Sequence, residues 1–203
     1  MNECKFINKF NKLRKSSNES IDNIQCFDDF RKYMHVIRSI EIDLKHILGI
    51  VNSSDKKTLI LLCGSAGDGK SHLLSYLKNF DSDNLLENYK IFNDATESDA
   101  PDKTAVETLC KRLEDFNDEN IDKPGLNAII AINLGVLSNF IESEKTSQFS
   151  ILKTYVKNSN IMISEVTQTA YVENSHFQHI SFSDYHMFFL NGNGVYPDYI
   201  EAL

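Results

Sequence analysis

Three local patterns follow one another in the segment Thr58-Leu-Ile-Leu-Leu-Cys-Gly-Ser-Ala-Gly-Asp-Gly-Lys-Ser-His-Leu-Leu74. The apolar run at 58–63 is typical of a strand that is buried on both faces of a parallel sheet. A glycine-rich turn follows at 64–69, and residues 70–80 place leucines at helical spacing. A strand, a glycine-rich turn and a helix in this order predict one unit of an α/β fold.

The glycine-rich turn matches the P-loop, or Walker A, pattern: a glycine, four free positions, then Gly-Lys-Ser. Glycines let backbone N–H groups approach phosphate oxygens, and the positive end of the next helix dipole points at the same anion. We therefore expect ATP and Mg²⁺ as cofactors, with Lys70 on the β- and γ-phosphates and the Ser71 hydroxyl on the metal. The predicted nucleotide-binding residues are Gly64, Ser65, Ala66, Gly67, Asp68, Gly69, Lys70, Ser71 and His72. For His72, a structural hydrogen bond is the alternative.

Hydrolysis of ATP needs groups beyond this loop, usually an acid for Mg²⁺ and a polar residue that orients water. Asp94 and Glu97 follow a predicted strand at 89–93, and Asp184 follows a later one. Asp94 is the catalytic and metal-binding candidate, with a capping or loop role as its alternative. The strand at 127–133 ends in Asn133, where an acid is the expected residue, and this amide is a candidate γ-phosphate sensor.

The chain divides by composition into three parts. Residues 1–26 are predicted to be a mobile basic tail, and residues 27–52 a helix that packs on the core. Residues 53–203 are predicted to form the P-loop NTPase core, AAA-like, with a parallel sheet that is truncated at its carboxyl-terminal end. The expected N-terminal helix runs from Asp28 to Gly49. Its apolar stripe comprises Phe30, Tyr33, Met34, Ile37, Ile40, Leu44, Ile47 and Leu48, and Glu41 pairs with Lys45.

Further elements alternate along the rest of the chain. Thr104 and Glu107 form a predicted capping box at the start of a helix that ends at Phe116. The remaining predictions are a strand at 127–133, helices at 134–142 and 147–156, and a strand at 176–182. Residues 184–190 are rich in aromatic side chains and fit either a strand or a helix.

Charge and composition exclude several classes of protein. The 203 residues carry a formal net charge of −8 and are 41% hydrophobic, which excludes a wholly disordered chain and a protein with a broad DNA-binding surface. Only the first fifteen residues are strongly basic, so direct DNA contact is expected there alone. The four cysteines lack metal-site spacing, and no signal or membrane-spanning segment is visible. We therefore expect a cytoplasmic protein with no membrane partner.

Several stretches together resemble a known family. They are Lys32-Tyr-Met-His-Val36, Leu62-Cys-Gly-Ser-Ala-Gly-Asp-Gly-Lys-Ser-His-Leu73, Phe92-Asn-Asp-Ala-Thr96, Ile130-Ala-Ile-Asn-Leu-Gly135 and Ile180-Ser-Phe-Ser-Asp-Tyr-His186. This set is similar to the DptF component of bacterial DNA phosphorothioation-dependent restriction systems. The resemblance implies a P-loop protein of host defence, with companion restriction subunits as partners, which acts against DNA that lacks backbone sulfur. Only residues 64–71 correspond to a site of known purpose, and family members are longer than this chain.

Two other functions fit the same motif. The loop can serve a docking or assembly module that binds nucleotide without turnover. Alternatively, the chain is a small-molecule kinase, since such enzymes also open with a P-loop. A kinase would be expected to carry an arginine-rich lid. The arginines here are Arg14, Arg31, Arg38 and Arg112, and none lies in a late loop.

Overall fold

A computed structural model describes residues 32–33, 35–93, 104–162, 171–185, 189–191 and 194–196. Four parallel strands form its main sheet, in the order β2-β3-β1-β4. The strands are β1 (Leu59–Gly64), β2 (Tyr89–Phe92), β3 (Asn127–Asn133) and β4 (Phe177–Ser181). The helices are α1 (Ser39–Asn52), α2 (Lys70–Phe80), α3 (Ala105–Arg112), α4 (Leu134–Glu142) and α5 (Ser150–Asn158).

The strand β1 lies inside the sheet and is buried along its whole length. It pairs with β3 from Leu59↔Ala128 to Gly64↔Asn133, and with β4 on its other edge. A strand with neighbours on both edges and helices on both faces has no solvated side, which is why its sequence is continuously apolar.

Successive side chains of β1 enter two different cores. Leu59, Leu61 and Cys63 join apolar residues of α3, α4 and α5, whereas Ile60 and Leu62 join those of α1 and α2. The alternation follows from the two-residue period of a strand. The predicted α/β fold with a parallel sheet flanked by helices is confirmed at this level.

The N-terminal helix differs from its prediction. Residues 35–38 are not helical, and α1 begins only at Ser39 and continues past Gly49 to Asn52. Tyr33 and Ile37, expected on the buried stripe, are 83% and 66% exposed. In this segment His35 contacts His72 and Tyr76 of α2, and Arg38 bonds to Asp68 in the loop after β1. The predicted tail at 1–26 lies outside the described residues.

Two other predicted segments agree in position and differ at their ends. The capping box of Thr104 and Glu107 is present, but α3 stops at Arg112 and a 3₁₀ turn at 114–116 completes the predicted segment. The region predicted as a helix at 147–156 is a 3₁₀ stretch followed by α5. A 3₁₀ turn at Phe182–Asp184 follows β4, and beyond it β5 (Phe189–Asn191) pairs antiparallel with β6 (Gly194–Tyr196), apart from the main sheet.

Candidate functional site

The glycine-rich loop, residues 64–71, joins the carboxyl end of β1 to the first turn of α2. Gly67 and Gly69 have φ angles of 87° and 95°, and Gly69 is the N-cap residue of α2. Residues with a Cβ rarely adopt this left-handed conformation, so the loop needs glycine at both positions. At Gly64, an added Cβ would lie 2.6 Å from the Asp68 Oδ2 atom and 3.1 Å from Phe182 Cβ.

Two hydrogen bonds to Ser65 hold the loop in shape. The backbone N–H of Ser65 donates to the Asp68 carboxylate at 2.5 Å, and the Lys70 ammonium donates to the Ser65 carbonyl, also at 2.5 Å. Ser65, Ala66 and Gly67 are exposed to solvent. The Lys70 ammonium therefore bonds to a carbonyl of its own loop. A bound anion would give the ammonium a second acceptor at this position.

The first turn of α2 brings two more predicted residues to the site. The Ser71 hydroxyl donates a long hydrogen bond of 3.4 Å to the carbonyl of Asn93, the residue after β2. The Asn93 side-chain oxygen is buried and has no hydrogen-bond partner among the residues that the structure describes. His72 Nε2 lies 3.1 Å from His35 Nδ1, so the structural hydrogen bond considered for His72 is present.

Arg38, which precedes α1, reaches the loop from the side. Its Nη1 donates to the Asp68 carbonyl at 3.1 Å, and its guanidinium lies 5.0 Å from the centre of the Phe182 ring. Arg38 is also the N-cap residue of α1. The segment before α1 is thus attached both to the loop and to the end of β4.

A buried polar cluster anchors the same segment. His35 Nε2 lies 2.9 Å from the Glu41 carboxylate, and the His35 ring stacks on Tyr76 with 3.3 Å between centroids. Glu41 is almost fully buried and also pairs with Lys45 at 2.9 Å. Burial alone would raise the pKa of Glu41, but the hydrogen bonds from His35 and Lys45 outweigh it and hold that pKa below its ordinary value. Glu41 therefore remains a carboxylate and accepts from both partners.

A cleft of about 540 Å³ opens beside the loop. Its walls come from the segment before α1, from the loop with the first turn of α2, and from the residues after β4. The polar and aromatic lining includes His35, Arg38, Asp68, His72, Phe182 and Tyr185. The Tyr185 hydroxyl donates to Asp43 on α1 at 2.6 Å and ties the third wall to the first. This volume falls in the range of small-molecule sites.

The other predicted site residues are distributed unevenly. Asn133 ends β3 directly opposite Gly64, and its side-chain oxygen accepts from Gly135 N–H at 2.8 Å as the N-cap of α4. Asp184 lies in the turn after β4, at the same end of the sheet. Asp94 and Glu97 lie outside the described residues.

Among the described residues, no group of three or more His, Cys, Asp or Glu side chains is placed to hold a metal ion. His176 bonds to the Lys57 carbonyl and to Asp122, and His179 bonds to the Tyr155 hydroxyl at 2.8 Å. Both histidines are thus used in hydrogen bonds within the fold. Within the same part of the chain, no helix is both long and apolar enough to cross a bilayer.

Sequence reasoning missed Arg38, Phe182 and Asn93 as members of the site. Arg38 falls inside the helix predicted from Asp28 to Gly49, and nothing in its immediate sequence indicates that the helix begins only after it. Phe182 ends the strand predicted at 176–182, and its buried ring also supports the Arg38 guanidinium. Asn93 directly precedes Asp94, the candidate metal-binding acid, so the sequence pointed to the neighbouring position.

No family model matches the chain, and no match is found among the curated proteins or among the solved structures.

Proposed function

We propose that this chain binds Mg²⁺-ATP at the glycine-rich loop and acts as an ATP-hydrolysing subunit of a DNA restriction complex. The observation that carries the binding proposal is the loop itself, between an inner strand and a helix. Two left-handed glycines precede Lys70 and Ser71 at the start of α2. Backbone N–H groups at a helix N-terminus, a helix dipole and one lysine together favour a polyphosphate.

The cleft beside the loop supports a nucleotide over a bare phosphate. It continues from the loop to Phe182 and Tyr185, so an aromatic surface lies next to the anion site. A planar base can pack on an aromatic ring of this surface. The phosphates would then lie at 64–71 and the nucleoside in the cleft.

The residues that the structure describes fit Mg²⁺ in their chemistry. Mg²⁺ prefers oxygen ligands and keeps several waters, and the Ser71 hydroxyl and the unpartnered Asn93 amide oxygen are of this type. Asp94 follows Asn93 in sequence and remains the proposed acid. A bound Mg²⁺ would neutralise charge on the β- and γ-phosphates. Asn133, opposite Gly64, remains the proposed sensor.

Calorimetric titration of Mg²⁺-ATP into the protein and its Lys70→Ala variant tests the binding proposal. We expect wild-type binding and a loss of roughly a hundredfold or more in the variant, because a charge-assisted contact to phosphate disappears. Lys78→Ala is the matched control, since Lys78 is an exposed lysine on the same helix. Equal affinity in Lys70→Ala and Lys78→Ala would contradict the proposal.

Binding without turnover is the second candidate, and Asn133 favours it. The strand next to β1 ends in an amide that is already used as a helix cap, and no acid occupies that position. Phosphate release from ATP separates the two candidates. Release that Lys70→Ala abolishes supports hydrolysis, whereas tight binding with no release identifies a docking or assembly module.

The restriction assignment rests on the family resemblance in the sequence. It proposes companion restriction subunits as partners and places the DNA contact in the complex. A host that carries those companions should reject plasmid DNA that lacks backbone sulfur, and replacement of the chain by its Lys70→Ala variant should restore transformation. Unchanged rejection after deletion of this chain would contradict the assignment.

A further inference from the structure

Arg38 holds the loop from a rigid support. Its backbone carbonyl accepts the N–H of Glu41 at 2.9 Å and so starts α1, which is anchored in the core by Leu44, Leu48 and Val51. The Phe182 ring supports the guanidinium from the other side. An arginine fixed at both its backbone and its head group delivers its N–H to one place.

The group that Arg38 holds is the peptide between Asp68 and Gly69. Gly67 and Gly69 flank Asp68, and glycine's freedom makes this peptide easy to rotate unless something fixes it. The Asp68 carboxylate is fixed by Ser65 N–H, and the Asp68 carbonyl is fixed by Arg38 Nη1. The two contacts act on opposite parts of the same residue.

In a planar trans peptide, the carbonyl and the N–H of the next residue point in opposite directions. The Asp68 carbonyl points toward Arg38, so the Gly69 N–H points away from it. We propose, on the basis of the proposed nucleotide site, that Arg38 is a positioning residue: it holds the Asp68 carbonyl and so turns the Gly69 N–H toward the phosphates. Arg38 then raises affinity through the loop, without contact to the nucleotide.

Three probes test this assignment on the full chain. Mg²⁺-ATP and Mg²⁺-tripolyphosphate are titrated into wild type, Arg38→Met and Arg38→Lys, and the backbone amide resonance of Gly69 is followed by NMR without ligand. Met keeps the length of the side chain but donates no hydrogen bond, whereas Lys keeps a donor. We expect Arg38→Met to weaken both ligands by roughly tenfold to a hundredfold, the magnitude of one charge-assisted hydrogen bond. Arg38→Lys should stay within roughly threefold of wild type.

The Gly69 resonance gives a readout that a general loss of stability would not produce. It should move in Arg38→Met and stay near its wild-type position in Arg38→Lys, with thermal melting as the check on folding. Weakened ATP binding with unchanged tripolyphosphate binding would overturn the inference, because Arg38 would then contact the nucleoside. A loss that vanishes at high salt would also overturn it, since it would indicate direct charge attraction to phosphate.

Failure of the proposed function has a different signature. If wild type binds neither ATP nor tripolyphosphate, the nucleotide site is wrong and the role of Arg38 falls with it. If wild type binds both and Arg38→Met binds them equally well, only the positioning role is wrong.

Discussion

One lysine precedes β1 and another follows it, and the two make different kinds of hydrogen bond. Lys57, before the strand, is 7% exposed, and its ammonium donates to the carbonyls of Asp115 at 2.8 Å and Asn120 at 2.7 Å. Lys70, after the strand, donates to Ser65 within its own exposed loop. Lys57 therefore connects distant parts of the chain, whereas the bond from Lys70 to Ser65 stays within the glycine-rich loop.

The surrounding backbone shows the same difference. At the amino end, Thr58 N–H donates to the Asn127 side chain and Leu59 N–H to the His176 carbonyl, both at 2.8 Å. At the carboxyl end lie the left-handed glycines and the side-chain oxygen of Asn93, for which the described residues provide no hydrogen-bond partner. Ligands of open parallel α/β sheets bind beyond the carboxyl ends of the strands. We call the amino end of β1, which these hydrogen bonds hold, the closed end, and the carboxyl end, which carries the exposed glycine-rich loop, the open end.

The largest expected effect on stability is at the closed end. Lys57→Met keeps the packing against Phe116 but removes the ammonium from the Asp115 carbonyl and from the Asn120 carbonyl, of which the second keeps the N–H of Lys123. We expect the free energy of unfolding to fall by about 3 kcal/mol, because two charge-assisted hydrogen bonds at a buried site are lost. Urea unfolding measures this change. Lys70→Met should alter the unfolding free energy by less than about 0.5 kcal/mol.

Lys56→Met is the matched control for Lys57→Met. Lys56 is the preceding residue, and its ammonium donates to a single carbonyl, that of Asn174, at an exposed position. We expect it to change stability by less than about 0.5 kcal/mol. Equal losses in the two variants, or loss of ATP affinity in folded Lys57→Met, would contradict the division between the two ends.

Acid should weaken the sheet through His179 of β4. Burial lowers the pKa of His179 from 6.5 to about 4, so the folded state keeps this ring neutral where the unfolded chain protonates it. The stability that comes from the neutral ring is complete above about pH 6.5 and is lost as pH falls toward 4. Between pH 8 and pH 5, the unfolding free energy should fall by about 2 kcal/mol through this residue.

Comparison of wild type with His179→Gln isolates that contribution, because the other titrating groups are common to both proteins. Urea unfolding is measured at both pH values for each protein. The decrease should be smaller in the variant by about 2 kcal/mol. The same decrease in both would show that His179 does not govern the acid sensitivity, whatever the stability of the variant at pH 8.

The positions of these helices and strands in the chain followed from local sequence patterns. β3, α2 and α4 have their predicted bounds, because a buried parallel strand is continuously apolar and these helices carry clear caps or stripes. The strand order did not follow from sequence, since hydrogen bonding between distant segments leaves no local periodicity. The same holds for the late antiparallel pair, β5 with β6.

The candidate site was predictable only where it is contiguous in sequence. The segment 64–72 matches the Walker A spacing, which can be read directly from the sequence. Arg38 and Phe182 join it through tertiary contacts of the guanidinium, with the Asp68 carbonyl and with a ring from the end of β4. The helical periodicity around Arg38 concealed its place in the site, because the pattern predicts a helix through Arg38 whereas α1 begins at Ser39.

The smallest expected effects on stability come from Asn127 and Asn133, the first and last residues of β3. Replacing each asparagine compares the two ends of the sheet directly. The Asn127 oxygen accepts Thr58 N–H at the closed end, and the Asn133 oxygen accepts Gly135 N–H at the open end, each at 2.8 Å. Each replacement by alanine removes one side-chain acceptor from a backbone N–H. We expect each to lower the unfolding free energy by about 1 kcal/mol in urea titrations.

Phosphate release should distinguish the two alanine variants, whose unfolding free energies are expected to be similar. Phosphate release per folded molecule should be unchanged in Asn127→Ala, whereas Asn133→Ala should reduce it at least tenfold with Mg²⁺-ATP affinity retained, because a γ-phosphate sensor acts on the reacting group. Asn133→Asp separates the two roles of this residue, since an aspartate also caps a helix but cannot donate to a phosphate. Full turnover in Asn133→Ala would leave Asn133 as a helix cap alone, and the division between the ends would then rest on the glycine-rich loop.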